Sequence, residues 1–177
     1  MNKEYTKHKL CNKLEYGSKE IGKGPKAPRV YRSTRLLTPG EWTDASSRTP
    51  TVYTPQELIR SAPNWKSNFL NVDHSWATLD RIGYIQNPRE DKGCVMGDLY
   101  IYPITENARD TINLIDAGLI NWLSVELFSN DQYNYDDRKN YATDITFIGA
   151  AVVSHPADEN TYIRSDGPRY QRVASED

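Results

Sequence analysis

Two residue types in this chain can do nucleophilic chemistry together. Ser124 stands inside 118–128, a run of large apolar and β-branched residues opened by Gly118. A hydroxyl with apolar neighbours on both sides needs a hydrogen-bond partner or a task. It is either a core serine bonded to a nearby carbonyl or a nucleophile held on a rigid strand, with a histidine delivered from elsewhere. Of the three histidines, His8 lies in a lysine-rich stretch, His155 precedes Pro156 and suits a turn, and His74 ends the apolar segment 69–74. A strand end is where a general base is presented, and equally where a structural imidazole bonds its neighbours. A serine–histidine pair would catalyse acyl transfer. The imidazole takes the hydroxyl proton as the oxygen attacks a carbonyl, and then activates the water that releases the acyl group.

Other chemistries lack their residues. There is no GxGxxG, P-loop or HExxH pattern, and the two cysteines, Cys11 and Cys94, form no CxxC. No metal site, disulfide framework or cofactor is therefore expected. Asp98 and the pair Asp136–Asp137 read as isolated, solvated acids. The 12 tyrosines and 4 tryptophans are not interleaved with Lys or Arg in the folded part, so stacking on nucleic acid is a poor fit. No apolar run reaches the length of a membrane span and no secretory leader opens the chain, so the expectation is a soluble protein made in a cytoplasm.

The elements that must position Ser124 and His74 follow from local signals. Net charge is −2, but residues 1–36 carry ten Lys/Arg against three Glu, a local +7 that leaves about −9 for the remainder. Residues 1–28 read as a basic flexible arm, 29–163 as the folded domain and 164–177 as a polar tail. Strands are expected at 29–37, 51–53, 69–74, 82–85, 94–102, 118–128 and 145–153, with 82–85 and 94–102 paired as a hairpin across an exposed connection at 88–93. Thr54, Pro55 and Glu57 mark a helix start with a capping box, running to about Ser61. Thr105 caps a second helix over about 106–117, with Ala108, Ile112, Leu114, Ile115 and Ala117 as its core stripe and Gly118 as its stop. Residues 130–140 read as a polar loop. The sum is a β-rich α+β domain: a small closed β-barrel of about six or seven strands with a few surrounding helices.

The ordered motifs Val72-Asp73-His74, Ile82-Gly83-Tyr84-Ile85, the strand 93–102, Ala117-Gly118-Leu119, Leu123-Ser124-Val125-Glu126, and the stretch from Gly149 through Ser154-His155-Pro156-Ala157-Asp158 resemble the prohead proteases of tailed phages and related archaeal viruses. These are capsid maturation serine proteases with a herpesvirus assemblin-like fold. The resemblance spans about residues 30–163. It places the family's histidine on His74 and its nucleophile on Ser124. It implies a barrel ringed by helices, often dimeric, acting in the procapsid interior on scaffold and major capsid proteins, with no cofactor. The family's third catalytic member falls on Gly149, which can neither orient nor stabilise an imidazolium. Glu126, two residues from Ser124 on the same strand face, is the expected substitute. Asp144, which would need a bulge to share that face, and His155 are the alternatives. A Ser-His dyad, or an inactive member serving capsid assembly, completes the set. Arg164 and Arg169 are candidate oxyanion donors.

Overall fold

The computed structural model describes residues 26–43 and 49–163. The basic arm up to residue 25, the tail 164–177, His8, Cys11, Arg164 and Arg169 lie outside the described residues.

Among the described residues, eight strands and two helices follow one another as β1 (Arg29–Leu37), β2 (Gly40–Trp42), β3 (Thr51–Tyr53), α1 (Pro55–Ser61), β4 (Trp65–Val72), a 3-10 turn (Thr78–Asp80), β5 (Arg81–Asp91), β6 (Cys94–Ile101), α2 (Glu106–Asp116), β7 (Trp122–Asn134) and β8 (Lys139–Val153). They form a single sheet in the order β1-β6-β5-β4-β8-β3-β2, with β7 along the other edge of β8. β8 is the axis. Its C-terminal half pairs in parallel with β4 and antiparallel with β7, so β8 separates β4, which His74 follows, from β7, which carries Ser124. The β-rich α+β class is as expected, but the sheet curls without closing. No ladder joins β1 to β7. The gap is bridged by the chain after β8, where Tyr162 exchanges two backbone hydrogen bonds with Arg35 of β1, at 3.0 and 3.2 Å, and Ile163 N–H donates to Asn121 O at 2.8 Å.

One face of the curl is the core. Leu70, Ala150 and Leu123, on β4, β8 and β7, are each 0% exposed, and Val152 joins them. Helix α1 adds Leu58 and α2 adds Ala108 and Ile115. Leu114 and Ala117, expected in the α2 stripe, are exposed, so the buried stripe is narrower than the apolar one. The stop at Gly118 takes the expected form: φ is +73°, and Gly118 N–H and Leu119 N–H return to Ile115 O and Leu114 O at 2.9 Å each.

Four local expectations change. Residues 130–140 are mostly strand, because β7 and β8 continue as a two-stranded ribbon from Asn130↔Thr143 to Asn134↔Lys139. Strand β5 runs through the expected connection to Asp91, and a register shift between Gln86 and Arg89 accommodates Pro88, which has no N–H to give the ladder. Thr54 caps α1 by accepting from Glu57 N–H at 3.2 Å, but Glu57 does not close the box. Its carboxylate is held instead by Arg60 at 2.6 Å and Ser61 Oγ at 3.1 Å. Asp98, expected in solvent, is 5% exposed and accepts from Ser33 N–H at 2.8 Å and from Arg89 at 3.3 Å. Asp136 and Asp137 are exposed as expected.

Candidate active site

Alternation along β7 decides which way Ser124 faces. Leu123 is fully buried and Val125 packs against the core, so Ser124 and Glu126 project from the opposite, outer face. Ser124 is therefore not a core serine. The ladder places Ser124 opposite Ala151 and Asn71, and Glu126 opposite Gly149 and Phe69, as two successive rows across β7, β8 and β4.

His74 reaches this face by a tight turn rather than from the strand itself. Asp73 and His74 have φ of +49° and +57°, and Ser75 N–H donates to Val72 O at 2.9 Å. That is the geometry of a type I′ turn. Left-handed backbone is uncommon outside glycine, though Asp and His adopt it more readily than most residues. Non-glycine residues held this way cluster at functional sites. The turn is anchored on both sides. Asp73 N–H donates to Val152 O at 3.0 Å, while Asp80 accepts from Ser75 Oγ and from Asn107 Nδ2 of α2.

From there the imidazole turns back over the sheet. His74 Nδ1 lies 2.9 Å from Glu126 Oε1, with the carboxylate-bearing side chain 11% exposed and the histidine 41% exposed. A ring that donates from Nδ1 to a carboxylate keeps Nε2 as the proton acceptor. Ser124, His74 and Glu126 all line one cleft of about 630 Å³, along with Trp42, Tyr53 and Trp76. Among the described residues the Ser124 hydroxyl makes no hydrogen bond, so the serine shares the cleft with the histidine without being hydrogen-bonded to it.

The other candidates make different contacts. Asp144 sits in a β8 bulge, with φ +52°, but accepts from Arg60 and Asn130 at 3.3 Å each. His155 lines the same cleft, with its Nδ1 3.0 Å from Ser154 Oγ. At Gly149 an added Cβ would lie 3.3 Å from Glu126 Oε2, so the carboxylate occupies the space beside the glycine. Among the described residues no cluster of His, Cys, Asp and Glu could hold a metal ion.

Two features of the cleft escaped the sequence reading. Trp42 and Trp76 line it, and the sequence signal was an aromatic two residues after Gly40 and two after His74. Asp158 closes one end. It is 5% exposed and accepts from Thr38 N–H at 2.6 Å, from Thr38 Oγ1 at 2.8 Å and from Asn160 N–H at 3.0 Å. The Pro156-Ala157-Asp158 turn thus pins the chain after β8 to the end of β1, a role visible only once the distant Thr38 is in place.

No protein-family model matches the chain, and no curated protein does. Among solved structures the chain is similar to the capsid assembly protease gp21 of bacteriophage T4, with a TM-score of 0.49 and 10% sequence identity, over 75% of this chain and 100% of that one.

Proposed function

We propose that this protein is a serine endopeptidase of virus capsid maturation, with Ser124 as nucleophile, His74 as general base and Glu126 as the acid that orients the base. The observation that carries the proposal is the 2.9 Å contact between His74 Nδ1 and Glu126 on the face that also presents Ser124. The motif order from Val72 to Asp158 directs it toward the prohead proteases. His74 Nε2 accepts the Ser124 proton as the hydroxyl oxygen attacks a peptide carbonyl. The amine leaves with that proton, and water, deprotonated by the same imidazole, releases the acyl-enzyme. Glu126 holds the ring in its Nδ1–H form and stabilises the imidazolium. In this reading the substrates are scaffold and major capsid proteins inside the procapsid, and the working form is a homodimer.

The test is digestion of the cognate scaffold and capsid proteins by the purified chain. Fragments appear with the wild type and are absent with Ser124→Ala. Identical band patterns for the two would end the protease reading. The second reading is a same-fold assembly factor without catalysis. The absence of a Ser124–His74 hydrogen bond among the described residues favours it. Catalytic contacts are often long in unliganded enzymes and tighten with substrate, so that absence alone does not eliminate the first reading.

A further inference from the structure

We propose that Gly149 is a positioning residue: its missing side chain is the gap through which Glu126 crosses β8 to reach His74. The acid is on β7 and the histidine follows β4, with β8 between them. Neighbouring strands lie about 4.8 Å apart, so two spacings, roughly 10 Å, must be spanned over whatever β8 presents outward. What it presents at this row is Gly149, opposite both Glu126 and Phe69. A Cβ there would come within 3.0 Å of Phe69 O and 3.3 Å of Glu126 Oε2. The first neighbour is backbone and cannot move aside cheaply. The second is the carboxylate itself, so the side chain that would have to yield is the one bonded to His74. The next outward residue on β8, beside Ser124, is Ala151. The part of the floor that β8 contributes, between Glu126 and Phe69 and between Ser124 and Asn71, is therefore almost bare of side chains.

This accounts for the departure from the prohead-protease pattern. The glycine at the third position and the glutamate two residues beyond the serine are complementary, because the space beside β8 receives its carboxylate from β7. The kinetic consequence rests on the acyl-transfer reading above, while the geometric claim does not.

Two variants test it: Gly149→Ala, and Glu126→Asp, which keeps the charge but is one methylene too short to cross. Each is assayed by the rate at which a fluorophosphonate labels Ser124, and by the 15N shifts of the His74 ring, which report the tautomer. Misplacing a catalytic contact by about an ångström costs on the order of 10²-fold. Both variants are expected to label about 10²-fold more slowly and to lose the Nδ1–H tautomer expected of the wild type, with the far-ultraviolet circular dichroism unchanged. Wild-type labelling and ring shifts in Gly149→Ala overturn the proposal, and so do wild-type values in Glu126→Asp, which decides alone if Gly149→Ala does not fold. A wild-type chain that is never labelled defeats the acyl-transfer reading, and the ring shifts then still decide the role of Gly149.

Discussion

His74 Nδ1 and Glu126 Oε1 meet at 2.9 Å although 52 residues and a whole strand separate them. The contact joins a type I′ turn after β4 to the outer face of β7. In the proposed mechanism Nδ1 donates to the carboxylate, which leaves Nε2 to accept the Ser124 proton.

That division of labour predicts the behaviour of Glu126→Gln. The amide keeps the shape but can offer its NH2 to Nδ1, which stabilises the opposite tautomer and removes the acceptor at Nε2. Replacing the orienting acid of a catalytic triad by its amide lowers kcat about 10⁴-fold in the best-studied case. Peptide hydrolysis by Glu126→Gln should fall by about 10²–10⁴-fold at unchanged melting temperature. Near wild-type turnover would show that the carboxylate takes no part.

The two faces of β7 predict a contrast between adjacent residues. Leu123 is fully buried in the core, whereas Ser124 is half-buried on the outer face and its hydroxyl makes no hydrogen bond among the described residues. Leu123→Ala should lose about 2–5 kcal/mol of stability through lost burial and a residual cavity. Ser124→Ala should stay within about 0.5 kcal/mol of wild type. Urea unfolding of both variants checks this. A large loss in Ser124→Ala would return the serine to a structural role.

Much of the fold was legible because its signals are local. Strand β1 carries its β-branched and aromatic run, Thr54 and Thr105 announce both helices, and Gly118 ends the second. The ribbon beyond Asn130 was not legible, because residues 130–140 are mostly polar apart from Tyr133 and Tyr135. The backbone ladder, with Thr143 Oγ1 donating to Asn130 O at 2.6 Å, makes it a strand pair. Glu57 and Asp98 misled for a related reason: the partners that redirect them include Ile145, Ser33 and Arg89, which a local reading does not bring near. The site was half legible. Strand parity put Glu126 on the face of Ser124, but the turn that folds His74 back, and the glycine gap that admits the acid, exist only in three dimensions.

Asp158 should prove a structural carboxylate. It accepts from Thr38 N–H and Asn160 N–H at a nearly buried position. Removing the acceptor leaves buried donors unpaired, at about 1–3 kcal/mol each. Asp158→Ala should therefore lose several kcal/mol in urea unfolding, and Asp158→Asn, which keeps one acceptor oxygen, should lose less. Equal losses for the two would show that the carboxylate's hydrogen bonds are not what stabilises this end of the cleft.

Tyr31 makes stability depend on alkaline pH. Burial first, and then the 2.8 Å hydrogen bond its hydroxyl donates to Asp116, push its pKa well above the ordinary tyrosine value of about 10. Above that pH the unfolded chain loses this proton while the folded chain keeps it, so the native state binds more protons and stability falls as pH rises. Below it the contribution is constant. Tyr31→Phe should lose about 1 kcal/mol near neutral pH and show a shallower decline above pH ~10 than the wild type. Parallel curves for the two proteins would contradict the assignment.

If Ser124 is a nucleophile activated by His74, fluorophosphonate labelling of the intact chain, with the modified peptide mapped by mass spectrometry, will show it. A single residue, Ser124, is then phosphonylated in the wild type, with labelling abolished in Ser124→Ala and reduced to near background in His74→Ala. Labelling that persists undiminished in His74→Ala, or that falls on another residue, would contradict it.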